Sequence, residues 1–258
     1  MTAPPYVPGH GLLAGKNVLI TAAAGTGIGF ATAKRCVEEG ASVVISDKHE
    51  RRCGESAAEL GVPGIPCDVT DEESVRALIA GASGAFSTST GRPGIDVMIN
   101  NAGMGGTAEL HEMTDEQWGL VLDVTLNGTF RCMRAGLQHM YEQGSGVIVN
   151  NASVLGWRAQ EGQAHYAAAK AGVMALTRCA AIEAGTRGVR VNAVAPSLAM
   201  HPFLAKVTSD ELLDELTQRE AFGRYAEPWE IANVVVFLAS DYSSYMTGEV
   251  VSVSSQHP

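Results

Sequence analysis

Seven short stretches of the chain are almost continuously apolar and rich in β-branched residues. They are NVLIT (17–21), SVVISD (42–47), GIPCDV (64–69, the weakest), IDVMIN (95–100), GVIVNNAS (146–153), VRVNAVAP (189–196) and EVVSVS (249–254). Their apolar positions run on instead of alternating, as in strands covered on both faces. Between them lie amphipathic segments of helical period at 28–39, 72–80, 115–143, 164–184 and 229–238. Strand–helix–strand repetition with right-handed crossovers predicts an α/β fold, a doubly wound parallel sheet of about seven strands with helices on both faces.

No internal repeat or long linker divides residues 1–258, so a single domain is predicted. Residues 1–14 read as a flexible lead-in. Residues 81–94 (GASGAFSTSTGRPG) read as a surface loop. A long segment at 197–225 carries a helical piece over 209–220 without a strand partner. Because ligands of such sheets lie beyond the carboxyl ends of the strands, it is either a lid over the substrate or an extra packing helix.

Composition narrows the function. Hydrophobic residues make up 46% and charged residues 18%, and 18 basic against 28 acidic residues give a net charge of −10. With no Lys/Arg-rich run, nucleic acid and anionic membrane surfaces are poor partners. The five cysteines (36, 53, 67, 132, 179) are scattered and none forms a C-x-x-C pair. Reduced, mostly buried thiols in a cytoplasmic protein are expected, with no disulfide framework and no metal. The N-terminal stretch lacks the charged and apolar regions of a signal peptide, and no run reaches the roughly 18 apolar residues of a membrane span.

After the first strand comes TAAAGTGIGFATAKR, a glycine-rich turn opening a helix. Glycine lets a backbone approach a pyrophosphate, and a helix N-terminus offers free N–H groups. Thr26, Gly27 and Ile28 are the candidate contacts. The second strand ends in Asp47, eighteen residues beyond Gly29. A carboxylate there accepts hydrogen bonds from the ribose 2′-hydroxyl of NAD and repels the 2′-phosphate of NADP. Lys48, Arg51 and Arg52 work against that preference unless they are a solvated helix face; NAD stays favoured.

The sharpest constellation is NNASVLGWRAQEGQAHYAAAKAGVMALT. Ser153 ends a strand, and thirteen residues later Tyr166 and Lys170 stand four apart on one helix face. A phenol titrates near about 10, so acid/base work near neutrality requires lowering it by roughly three units, about 4 kcal/mol. An ammonium one turn away is expected to supply that field, and the Ser153 hydroxyl to hold the substrate oxygen against Tyr166.

These residues resemble the short-chain dehydrogenase/reductases over essentially the whole chain. The matching pieces are Gly27-Ile28-Gly29, Asp68-Val69, NNAG (100–103), Ser153, YAAAK (166–170), VNAVAP (191–196) and MTGEV (246–250). The resemblance implies a Rossmann-type fold and an enzyme interconverting an alcohol and a ketone with a nicotinamide cofactor. It makes Tyr166 the acid/base and Ser153 the orienting hydroxyl. Lys170 would lower the Tyr166 pKa and bind the nicotinamide ribose. It places Asp68 and Val69 at the adenine, and Asn101, Ala102, Gly103 and Ala199 along the cofactor cleft. A homotetramer or homodimer built on the 115–143 and 164–184 helices is also implied.

Four spellings depart from the family pattern. Counted back from Gly29, the first glycine of the turn is replaced by Ala23, with Thr21 one residue early, so an extra residue or a shifted loop is implied. Thr125 stands where many members carry a relay Asn. Asn127 lies two residues on, about 200° around a helix, and cannot substitute; Thr125 with water, or a backbone carbonyl, is left to carry the proton onward. Pro196-Ser197 replaces Pro-Gly, with His201 at a position where a nicotinamide-contacting Thr often lies. The chain ends in VSSQHP instead of a V-D-G-G pattern. Together these spellings resemble actinobacterial members of steroid catabolism that act on hydroxylated indane CoA thioesters. Arg158, Lys206, Arg219 and Arg224 would then be candidates for the CoA phosphates. The rival readings are a 3-oxoacyl-CoA/ACP reductase of acetoacetyl-CoA type, which would favour NADPH, and a non-catalytic NAD-binding regulator.

Overall fold

A computed structural model describes residues 2–200 and 210–255. Seven strands form one sheet: β1 (Asn17–Ile20), β2 (Ser42–Asp47), β3 (Gly64–Pro66), β4 (Val97–Asn100), β5 (Gly146–Asn151), β6 (Val189–Pro196) and β7 (Val250–Val253). Their order is β3-β2-β1-β4-β5-β6-β7 and every pairing is parallel. The order reverses between β1 and β4, which opens a crevice at the carboxyl ends of those strands.

The helices are α1 (Ile28–Glu38), α2 (Glu50–Leu60), α3 (Glu72–Thr90), α4 (Asp115–Leu122), α5 (Gly128–Gln143), α6 (Ala164–Gly185), α7 (Asp210–Gln218) and α8 (Pro228–Ala239). Successive strand residues point to opposite faces. Thus Leu19, Val44, Met98 and Ile148 pack with α3, α5 and α6, while Val18, Ile20, Ile45 and Ile99 pack with α1 and α8. Both faces are buried, which is why the runs are apolar throughout.

Three expectations need correction. Residues 81–90 are not loop but the second half of α3: Val75, Leu78, Ile79, Ala82 and Phe86 are buried along one stripe, and left-handed Gly91 ends it. The Ser and Thr residues that suggested a loop lie mostly on the outer face. The 115–143 helix is broken by a π-helical turn at Asp123–Asn127.

The lead-in is also not loose over residues 6–12. Buried Arg35 pairs with buried Glu39 at 2.9 Å, and burying such a pair demands partners for its remaining polar atoms. The lead-in supplies them. Arg35 donates to the carbonyls of Val7 and Pro8, and Glu39 accepts the N–H groups of His10 and Leu12 at 2.8 and 2.9 Å. Tyr6 meets Trp229 edge to face at 5.3 Å.

The 197–225 segment is fastened at both ends. Ala199 bridges to Ala226, and buried Glu220 accepts the N–H and hydroxyl of Ser255 at 3.2 and 2.7 Å. Within it α7 matches the expected helical piece. His201 and Lys206 lie outside the described residues.

Candidate active site

The glycine turn begins where β1 ends. Thr21 Oγ1 accepts the N–H groups of Asn101 and Ala102 at 3.1 and 3.3 Å, tying the end of β1 to the end of β4. Ala22 follows with φ 50°, a left-handed conformation that disfavours a side chain, and Gly25 has φ 96°. The turn thus holds two left-handed residues, Ala22 and Gly25, before Gly27 caps α1. It leans toward α2, where the Gly25 N–H donates to Ser56 Oγ at 3.1 Å. At Gly29 a Cβ would come within 2.3 Å of the Ala22 carbonyl oxygen and 2.4 Å of Asn101 Nδ2, so the close approach excludes any other residue.

Helix α1 starts at Gly27 with no side-chain cap and no acid in its first turn. Helices α3 and α4 instead open on Asp71 and Thr114, whose side chains each accept a first-turn N–H and are followed by acidic residues. The free N–H groups of a helix N-terminus facing the crevice fit a pyrophosphate.

Asp47 is buried at the end of β2 and accepts the His49 N–H at 2.9 Å. The three nearby cations all face carboxylates: Lys48 on Asp68 at 2.7 Å, Arg51 on Glu55 at 3.0 Å, and Arg52 on Asp47 at 3.5 Å. Burial works against the Asp68 carboxylate, but Lys48 and Thr70 outweigh it and hold its pKa below the ordinary value. Val69 is buried against Gly128, where a Cβ would sit 2.7 Å from it.

Asn101 braces three strand ends. Its Nδ2 donates to the Ala22 carbonyl at 2.8 Å and its Oδ1 accepts from Asn151 Nδ2 at 2.9 Å. Its side chain thus shapes the cleft by holding its walls. Ala102 is buried, and a Cβ on Gly103 would lie 3.3 Å from Lys170 Nζ.

The predicted catalytic residues come together. Ser153 lies just beyond β5, accepts the Leu155 N–H at 3.2 Å, and stands near enough to the Tyr166 phenol to act on its pKa. Lys170, 2% exposed, lies with its Nζ 5.5 Å from the Tyr166 ring centre. Lys170 Nζ donates to the backbone carbonyl of Asn151. Burial pushes the Tyr166 phenol up to about 12, with Ser153 pulling the other way. Burial alone takes the Lys170 ammonium down to about 8. Desolvation dominates both groups in the chain by itself.

Thr125 is fully buried in the π-helical turn. Its hydroxyl donates to the Met104 carbonyl at 3.0 Å and accepts the Met104 N–H at 3.1 Å. Its own carbonyl accepts from Thr129 Oγ1 at 2.8 Å. Both polar groups are engaged within the protein, so Thr125 clamps the 101–107 loop. Exposed Asn127 pairs with Asp123 at 3.2 Å, pointing away as the helical geometry requires.

Reading the sequence missed Asn151, which acts through a backbone carbonyl and so leaves no side-chain signal. It also missed His165, whose position beside Tyr166 was the only cue. Of the candidate phosphate ligands, Arg219 is paired with Glu215, and Arg224 grips Glu230 bidentately at 2.6 and 2.7 Å. Arg158 lines a cleft of about 730 Å³ with Leu110, Trp157 and Ala167; Ser153 and Tyr166 are not among its walls.

Residues 22–255 match the family described as Enoyl-(Acyl carrier protein) reductase. The chain is 60% identical to the (5R,7aS)-5-hydroxy-7a-methyl-1-oxo-2,3,5,6,7,7a-hexahydro-1H-indene-carboxyl-CoA reductase of Mycobacterium tuberculosis (strain ATCC 25618 / H37Rv), over 99% of this chain and 98% of that one. It is 39% identical to the cis-4-hydroxycyclohexanecarboxylate dehydrogenase of Sinomonas cyclohexanicum, over 92% and 95%. The crystal structure of a short chain dehydrogenase from Mycobacterium smegmatis superposes with a TM-score of 0.86 at 55% identity, covering 100% of this chain and 99% of that one. With the crevice, the uncapped α1 and the Ser153–Tyr166–Lys170 cluster in place, the chain belongs to the short-chain dehydrogenase/reductases, oxidoreductases that act on a CH–OH group.

Proposed function

We propose that the protein interconverts a ring secondary alcohol and its ketone on a steroid-derived indane CoA thioester, using NAD(H). The observation that carries the reaction is the convergence of Ser153, the Tyr166 phenol and, one helical turn on, Lys170 at the carboxyl end of β5. The substrate class rests on the likeness to the mycobacterial indene-carboxyl-CoA reductase across nearly the whole chain.

Thr26, Gly27 and Ile28 at the α1 N-terminus would hold the pyrophosphate, and Asp47 the adenosine ribose. Asp68 and Val69 would flank the adenine; Asn101, Ala102, Gly103, Lys170 and Ala199 would line the remainder. Asp47 favours NAD over NADP, because a 2′-phosphate beside it meets like charge. When bound, the nicotinamide supplies the hydride acceptor or donor.

In oxidation the substrate hydroxyl gives its proton to Tyr166 Oη as the carbinol hydride leaves, and a ketone results. Ser153 orients the oxygen, and Lys170 keeps the phenolate favourable once positive charge is nearby. Reduction runs the same transfers backward. The arrangement leaves no reason to read the chain as a regulator without activity.

We place the enzyme in the cytoplasm as a homotetramer or homodimer. Exposed Trp118, Leu120, Phe130 and Ile182 on α4, α5 and α6 support association through those helices. The decisive experiment is Tyr166→Phe assayed with NAD against indane CoA thioesters and simple hydroxyacyl-CoA substrates. Turnover is abolished while NADH binding persists; unchanged turnover overturns the reading. A wild type that prefers NADPH severalfold and simple 3-oxoacyl thioesters is instead a fatty-acid-type reductase.

A further inference from the structure

Helix α6 begins with an unusual cap. An α-helix leaves its first N–H groups without partners inside the helix, and a Ser, Thr, Asp or Asn at the N-cap normally takes one of them. Here the N-cap is Gln163, and its side chain makes no such bond. Its amide reaches away to donate to the Gly106 carbonyl at 2.7 Å. The third N–H of the helix is that of Tyr166 itself, and its acceptor is His165 Nδ1 at 2.9 Å.

The imidazole is 2% exposed. With Nδ1 as the acceptor, Nε2 is left as the ring's donor. Nε2 faces the glycine loop: a Cβ on Gly106 would stand 3.2 Å from it, and one on Gly105 would stand 3.6 Å from the Tyr166 ring. His165 is thus wedged between the backbone of Tyr166 and the loop carrying Gly103, where a Cβ would stand 3.3 Å from Lys170 Nζ.

We infer that His165 is a positioning residue for proton transfer: its Nδ1 lone pair fixes the first turn of α6, and so the direction in which Tyr166 presents its phenol to Ser153. The role rests on Tyr166 being the proton-transferring group. Its chemistry asks for an acceptor at the Nδ1 position in a side chain flat enough to sit against Gly106. Asparagine offers an acceptor oxygen near that point, and leucine fills the space without one.

The test compares His165→Leu and His165→Asn with wild type and Tyr166→Phe, in kcat, KM, NADH affinity by fluorescence titration, and thermal melting. We expect His165→Leu to lower kcat at least tenfold, with KM for the alcohol and NADH affinity within twofold of wild type. His165→Asn should recover most of that loss. Wild-type kcat in His165→Leu overturns the inference. So does an equal loss in both variants that follows the fall in melting temperature, because that marks packing alone. Activity retained in Tyr166→Phe overturns the reaction assignment instead, so the two failures are distinct.

Discussion

Lys170 Nζ donates to the main-chain carbonyl of Asn151, not to the phenol of Tyr166 four residues earlier. The lysine is anchored on strand β5, and strand β5 is anchored through Asn151 and Asn101 to the glycine turn. An ammonium held this deep is expensive, which is why its pKa falls to about 8.

That burial sets a stability signature. Between about 8 and the unfolded value near about 10.4 the unfolded chain binds the extra proton, so stability rises with pH across that window. Below it the native state carries the charged group at a cost on the order of 3 kcal/mol. Tyr166 does not interfere: its raised pKa contributes stability that is intact below about 10 and lost only as pH passes about 12. Urea unfolding of Lys170→Met should show the slope between pH 8 and 10 markedly reduced and turnover abolished. The lost bond to Asn151 offsets part of the gain at pH 7, so the slope is the readout. A slope equal to wild type sinks the argument.

Thr125 should behave as a clamp. Thr125→Val keeps its shape but strips both part-buried bonds to Met104, worth about 1 kcal/mol each. We expect a stability loss of that order and a fall in kcat of about tenfold, whereas Thr125→Ser stays within about twofold of wild type. If Thr125 instead relayed protons through water, Thr125→Val would change the solvent isotope effect at unaltered stability.

Asp47 should govern the choice of dinucleotide. Replacing it with Ala removes an acceptor for the ribose hydroxyl and the charge that opposes a 2′-phosphate, while Arg52, at 3.5 Å, is freed to attract one. Fluorescence titration should show NADH affinity falling roughly tenfold or more, about 1.4 kcal/mol or above, and the NADPH affinity falling less or rising. Equal losses for both would show that Asp47 only supports its loop through the His49 N–H.

How much of this was legible in the sequence depended on where the signal lay. The strands could be read because burial on both faces forces apolar residues at successive positions. Ser153, Tyr166 and Lys170 could be read because chemistry fixes their types and spacing. The second half of α3 was not legible: its Ser and Thr residues carry turn propensity, and only Ala82 and Phe86 packing against the sheet overrides it. The fastening of the lead-in depends on Arg35 and Glu39 needing partners from residues 7–12, a demand that exists only once both are buried. The break at Asp123–Asn127 left no periodic mark, and the Asn151 carbonyl is a main-chain group with no residue type at all.

Ala22 offers the cleanest test of the glycine turn. Its φ of 50° sits in the left-handed region, where a β-carbon costs about 1–2 kcal/mol. The fold accepts this because the Ala22 carbonyl receives Asn101 Nδ2 at 2.8 Å and packs against Gly29. Ala22→Gly removes the strain, but glycine also gives the unfolded chain more freedom, which offsets part of the gain. The net expectation is a stabilisation of about 0.5–1 kcal/mol, seen as a rise of about 1–4 °C in Tm for a domain this size, with NADH affinity unchanged. A less stable Ala22→Gly variant would mean that the methyl group packs favourably and that the strain is not what sets this position. Weaker NADH binding at unchanged Tm would mean that the turn needs the stiffness of alanine to hold the N–H groups of α1 in place.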